Sequence, residues 1–147
     1  MTGQTEFSKN CMYKVQEKAW IDERVFLIWI EKVWKPFTRE KQSSYLIIDE
    51  CSVHMMSNCV REIQGCGVEI DFVIGGYTSK LQVLDVGVNK PFKGYIRECY
   101  KKFMMGNTNG IKATRLDVAK WVDEAWHKVT PETVSHTWQC IGFEFFL

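Results

Sequence analysis

Between Asp22 and Lys35 the apolar residues Val25, Phe26, Trp29, Ile30, Val33 and Trp34 recur at helical spacing, and Pro36 is placed to stop the helix they predict. A polar loop follows from Thr38 to Ser44. Tyr45-Leu46-Ile47-Ile48 is a short branched apolar run ending at Asp49, the pattern of a strand buried on both faces. Ser52 to Gln64 reads as a helix closed by Gly65 and Gly67. From Val68 to Ile74 a second strand is predicted, with Val68, Ile70, Phe72 and Ile74 alternating against Glu69, Asp71 and Val73 before Gly75-Gly76 breaks it. Strand, helix and strand in this order predict a parallel pair joined by a right-handed crossover.

The second half of the chain reads as helical. A loop from Tyr77 to Gln82 leads into a helix between Val83 and Met105, with Gly87 and Pro91 near its start. Gly106 to Gly110 is a polar linker. Thr114 is placed as an N-cap with Asp117 three positions on, for a helix reaching Val129 with Leu116, Ala119, Val122, Ala125 and Trp126 on one face. Thr130-Pro131 begins a last helix, with proline at the first helical position. The sequence contains no internal repeat or low-complexity tract, so the class is α/β, with two strands and five or so helices.

Composition adds little direction. A 147-residue chain with 46% hydrophobic residues and six Trp carries enough apolar material for one sizeable core. Its net charge of +1 means that any nucleic-acid footprint has to come from local clustering. Such a cluster exists: Lys93, Arg97 and Lys101 recur every four residues with Lys90 and Lys102 beside them, which on a helix makes a basic stripe. It is either a phosphate-binding face or an ordinary solvated one. The tryptophans fall mostly at helical spacing and read as core rather than as base-stacking platforms. The six cysteines form no C-x-x-C pair, so they read as small buried hydrophobes, reduced in a cytosolic or nuclear compartment. The first ten residues are polar, with no leader-like apolar run, and no stretch is long and apolar enough to span a membrane. Walker, serine-hydrolase and zincin motifs are missing, which argues against those chemistries.

The chemistry centres on two carboxylates. Asp49 stands at the carboxyl end of a predicted strand, where α/β sheets gather their ligands. Asp85 follows the second strand by one loop, near a helix start. Taken alone, these are a strand-end acid and a helix-start acid. Adjacent parallel strands would bring them to one edge of the sheet, where hard carboxylate oxygens suit Mg²⁺ or Mn²⁺ and phosphodiester chemistry.

Two motifs give this pair a context. Tyr45–His54 (YLIIDECSVH) resembles the second-aspartate strand of the pogo/Tigger/jerky transposases, the group that includes centromere protein B: an apolar strand, an Asp, and a His five positions on. Thr78–Lys93 (TSKLQVLDVGVNKPFK) is similar to the third-acid motif of the same group, with Gln82, Leu84, Asp85, Gly87, Val88, Lys90, Pro91, Phe92 and Lys93 matching. Ala19-Trp20 and Trp29 resemble the family's Trp-containing helix, and Trp121-Val122, Ala125-Trp126, Val129 and Cys140-x-Gly142 its closing helices. The likeness runs over roughly residues 14–143.

The resemblance implies a DDE-type catalytic domain of RNase H-like fold over residues 19–143, after an irregular segment 1–18. It implies Mg²⁺- or Mn²⁺-dependent cleavage and transfer of DNA in the nucleus, with Asp49 and Asp85 as catalytic and metal-binding residues. His54 would support them, and Lys80, Lys90, Lys93, Arg97 and Lys101 would contact DNA. Two departures matter. Val83 and Gly75-Gly76 stand where the family favours proline. The family's first Asp, borne on a strand ahead of the Trp helix, has no counterpart: Glu6 precedes that helix without an apolar strand, Glu50 points away from Asp49 on a continued strand, and nothing places Asp22, Glu23 or Glu31 by the metal. The expectation is therefore a partial RNase H-like fold that has lost cleavage. Its Asp49 strand would carry an open apolar edge available to a protein partner. The alternative is a domesticated interaction module without catalysis, in the nucleus or the cytoplasm.

Overall fold

In the first stretch of chain the buried residues are spaced by four: Phe26, Ile30, Trp34 and Thr38. Repeated steps of four drift around an ideal α-helix, because 3.6 residues complete a turn. The computed structural model, which describes residues 11–14, 16–41, 44–107 and 109–143, shows how the stripe stays straight. Helix α1 (Glu23–Trp29) widens into a π-helical segment (Ile30–Trp34) and narrows again as α2 (Lys35–Arg39). Asp22 caps the start, its Oδ1 accepting the Val25 N–H at 2.8 Å. The expectation that Pro36 ends this helix is not met. Pro36 enters α2 in its first turn, where the wider turn before it relieves the clash and the lost hydrogen bond that proline brings to an α-helix interior. Thr38 then satisfies its buried hydroxyl by donating to the carbonyls of Trp34 and Lys35.

Strands β1 (Tyr45–Asp49) and β2 (Glu69–Val73) pair in parallel, Tyr45 opposite Glu69 and Asp49 opposite Val73, joined through α3 (Ser57–Gln64). The α3 helix is shorter than its sequence pattern. Residues 52–55 are spent on a turn in which the His54 N–H donates to the Cys51 carbonyl at 2.8 Å. After α3, Gly67 takes φ +70°, a conformation a side chain disfavours, and turns the chain into β2.

One face of the sheet carries Leu46, Ile48, Ile70 and Phe72 against Phe26, Ile30, Trp34, Cys59, Ile63 and Val68. Only Ile48 is buried in β1, while Tyr45 is 47% exposed, so the reading of a strand buried on both faces is corrected: one face packs on helices and the other carries Tyr45 hydrogen-bonded to Asp71. Ile74 lies beyond the end of β2 and is 62% exposed, outside the alternation predicted for it. Lys35 bridges Glu31 (2.9 Å) and Glu62 (2.8 Å), tying the first helix to α3. These two carboxylates, Glu62 first, push the Lys35 ammonium above its ordinary range.

These elements belong to the unit Lys14–Gln82. Val83–Leu147 with Met1–Tyr13 form the other. The predicted loop 77–82 contains a short helix, α4 (Thr78–Leu81). The second unit opens with a π-helical segment (Leu84–Val88) that runs into α5 (Asn89–Gly106). Pro91 sits in the first turn of α5, where its missing N–H costs least. Helix α6 (Arg115–His127) begins at a reciprocal capping box, Thr114 with Asp117, as its sequence predicts. Helix α7 (Pro131–Cys140) starts at Pro131 behind the Thr130 cap.

Edge-to-face aromatic pairs bind α5 to α6: Phe92 with Trp126 (5.5 Å) and Phe103 with Trp121 (5.4 Å). Early α5 thus meets late α6, and the two run antiparallel. Ala119 and Ala125 are buried, and Cys99 faces inward from α5. Trp126 remains half exposed although its ring meets Phe92 edge to face.

Ile63 is wholly buried at the centre of the first core. Ile63→Ala is expected to cost about 2–5 kcal/mol, read as a lowered urea midpoint by tryptophan fluorescence.

Candidate metal and nucleic-acid site

Asp49 is the last residue of β1. The Glu69 N–H donates to the Ser44 carbonyl (3.2 Å) and the Glu50 N–H to the Val73 carbonyl (3.3 Å), so the even-numbered residues of this strand bond β2. Main-chain groups alternate in direction along a ladder, and those of Tyr45, Ile47 and Asp49 therefore face the other edge, which no strand among the described residues covers.

The Asp49 carboxylate is held by one oxygen. Oδ1 lies 2.6 Å from His54 Nδ1 and accepts the Cys51 N–H at 3.3 Å. His54 packs its ring on Phe26 at 4.7 Å between centroids. Glu50, adjacent in sequence, is committed elsewhere: its Oε2 accepts the Gly75 N–H at 3.0 Å and ties down the turn after β2.

Asp85 lies in the first turn of the π-helical segment. Its Oδ1 accepts from Asn89 Nδ2 at 2.8 Å, which leaves Oδ2 without a hydrogen bond among the described residues. π-Helical turns are rare and recur at functional positions. Gly87, two residues on, makes this turn's packing feasible: a Cβ there would overlap Thr137 Oγ1 and fall 2.8 Å from its Cγ2. The motif glycine is thus the price of bringing α7 against the segment that carries Asp85.

Lys90, Lys93, Arg97 and Lys101 are all exposed on α5. At 100° per residue they span an arc of about 80° and roughly 16 Å of axis, opposite buried Cys99. None makes an ion pair among the described residues, so the stripe's charge is uncompensated. Lys80 belongs to α4, its ammonium 5.9 Å from the centre of the Tyr77 ring.

Asp49 and His54 come together; Lys90, Lys93, Arg97 and Lys101 share one face. Asp49, His54 and Lys80 belong to the unit Lys14–Gln82, and Asp85 with the α5 stripe to the other. Among the described residues no three His, Cys, Asp or Glu side chains form a metal-binding group. The sequence reading missed Asn89, Glu50 and Thr137 as supporting residues. Asn89 alone had a signal, four positions after Asp85 on a predicted helix. Burial pushes the thiols of Cys59 and Cys99 up, fitting the expected role of small hydrophobes, whereas Cys140 is exposed; all six cysteines are free.

An acid closing a parallel strand and a second in a motif turn run through a chain whose residues 2–138 match the family profile of the DDE superfamily endonucleases. The chain belongs to that family. Its α/β arrangement of two parallel strands with a crossover helix and further helices is a partial RNase H-like DDE fold. Among curated proteins this DDE chain is similar to the human "Pogo transposable element with KRAB domain", 28% identical over 138 residues that make up 88% of this chain and 23% of that protein. The mouse protein of the same name is 26% identical over the same shares. Mouse "Tigger transposable element-derived protein 4" is 25% identical across 89% of this chain and 25% of its own length. The chain spans about a quarter of the length of these relatives. No solved structure matches it significantly. No described helix is long and apolar enough to cross a membrane.

Gly87→Ala is expected to destabilise the second unit by about 1–3 kcal/mol through overpacking. The double variant Gly87→Ala, Thr137→Ala should recover part of that loss, because the atoms that a new methyl would strike have gone. Thermal unfolding of the four proteins of this cycle measures the coupling.

Proposed function

We propose that this chain is a transposase-derived DNA-binding module of the nucleus, with Asp49 and Asp85 as its divalent-metal carboxylates. The observation that carries the reading is the state of these two acids within a DDE-family chain. Each has one oxygen engaged by a neighbour four or five residues on, Asn89 or His54, and neither Oδ2 is bonded by any described residue. Free carboxylate oxygens are hard donors, so each of these acids fits Mg²⁺ or Mn²⁺ and not a soft metal. When bound, such an ion supplies Lewis-acid stabilisation at phosphodiester oxygens. The chain's own residues hold the substrate: Lys90, Lys93, Arg97 and Lys101 neutralise backbone phosphates along α5, and Lys80 adds a cation from α4. Contacts of this kind position DNA without reading its sequence.

Two of the family's three acids have counterparts in this chain. Each carboxylate is a ligand for a divalent ion within its own unit, two acids do not make up the family's set of three, and DNA binding without strand cleavage follows. A supercoiled plasmid incubated with the purified chain and Mn²⁺ is expected to stay intact; nicking abolished by Asp85→Ala would overturn this part of the proposal.

The four phosphate contacts of α5 alone predict that log K falls with log salt at a slope of about −3.6. Replacing Lys93, Arg97 and Lys101 by Gln should flatten the slope by about 3 and weaken binding to a duplex of any sequence, measured by fluorescence anisotropy across a salt series. Binding unchanged by the triple substitution would leave the second reading, an interaction module without DNA. The observation favouring that reading is the uncovered edge of β1, where the main-chain groups of Tyr45 and Ile47 could take a further strand.

A further inference from the structure

The contact between His54 and Asp49 constrains the acid more than hydrogen bonding at a strand end requires. His54 Nδ1 lies 2.6 Å from Asp49 Oδ1 and 3.2 Å from the Asp49 carbonyl oxygen. Both neighbours are acceptors when the carboxylate is ionised, so Nδ1 carries the hydrogen and donates. The ring cannot easily leave this position. Its backbone is fixed by the N–H bond to Cys51, its ring packs tilted against Phe26, and its side chain is 15% exposed. The carboxylate it holds is 40% exposed. The Cys51 N–H reaches the same Oδ1. Two donors therefore converge on one oxygen, and the other faces no described partner.

We infer that His54 is a positioning residue that locks the Asp49 carboxylate by Oδ1, so that Oδ2 alone is presented, monodentate, to a divalent cation. The inference rests on the reading of Asp49 as a metal ligand. A free carboxylate rotates about two side-chain bonds and can also grip a cation with both oxygens; a pinned one has neither freedom. Orienting partners of this kind change metal affinity by about 10–100-fold.

Two substitutions separate positioning from a structural role. His54→Asn keeps an N–H near the place of Nδ1 and deletes the ring on Phe26. His54→Phe keeps a ring there and deletes the donor. In the full chain, Mn²⁺ binding followed by the electron paramagnetic resonance of free Mn²⁺ is expected to weaken about 10–100-fold in His54→Phe and to stay near wild type in His54→Asn. Thermal stability should fall in the opposite order. Affinities that follow the stability order, or an unchanged affinity in His54→Phe, would overturn the inference while Asp49→Asn still weakens binding. Unchanged binding in Asp49→Asn would instead overturn the metal reading and this inference with it. Imidazole nitrogen resonances of the wild-type chain give a test that needs neither a variant nor a metal. The expected form is protonated at Nδ1, and a neutral His54 protonated at Nε2 would refute the hydrogen bond on which the lock depends.

Discussion

The contact of Ile48 with the helical layer above it sets the position of everything at the end of β1. A two-stranded parallel sheet has little cohesion of its own, since its few hydrogen bonds replace bonds to water. What holds the pair is the burial of Leu46, Ile48, Ile70 and Phe72 beneath α1 and α3, with Ile30, Cys59 and Ile63 filling the middle. Because side chains alternate along a strand, fixing Ile48 inward fixes Asp49 on the opposite face. Phe26 belongs to the same layer and is also the surface on which His54 rests. One apolar cluster thus sets the register of the acid and the seat of the ring that grips it.

The second unit works on a different principle. It has no sheet among the described residues, and its cohesion comes from small residues and aromatic edges. Ala119, Ala125 and Gly87 let helices approach closely, and Phe92, Phe103, Trp121 and Trp126 interlock along the flank. The basic residues lie on the side of α5 turned away from Cys99. Basic residues there cost the fold nothing, because they replace no core contact. This division explains how a chain of nearly balanced charge can carry a concentrated positive face.

Much of this was legible in the sequence wherever a local signal stood alone. Both strands, their parallel pairing, the Thr114–Asp117 capping box and the Pro131 helix start follow from periodicity and capping chemistry, and the structure reproduces them. The family came from the two motifs around Asp49 and Asp85. Less visible was anything that depended on helical pitch. A rule that proline ends a helix misplaced the boundary at Pro36, because a π turn had already widened the backbone and removed the reason for stopping. The spacing of four in Phe26, Ile30, Trp34 and Thr38 was available as a clue, but the outermost apolar residues, Val33 among them, blurred it. Partners such as Glu50 with Gly75, or Gly87 with Thr137, join distant positions, and no local pattern announces them.

The Gly87–Thr137 approach has a consequence for how the chain matures. Asp85 emerges from the ribosome well before α7, so its turn waits unsupported until Thr137 has been made. Tyr13 waits as well, since its hydroxyl donates to the Ala119 carbonyl at 3.1 Å. Vectorial synthesis therefore delivers every described element of the Lys14–Gln82 unit before helices α5, α6 and α7 of the other.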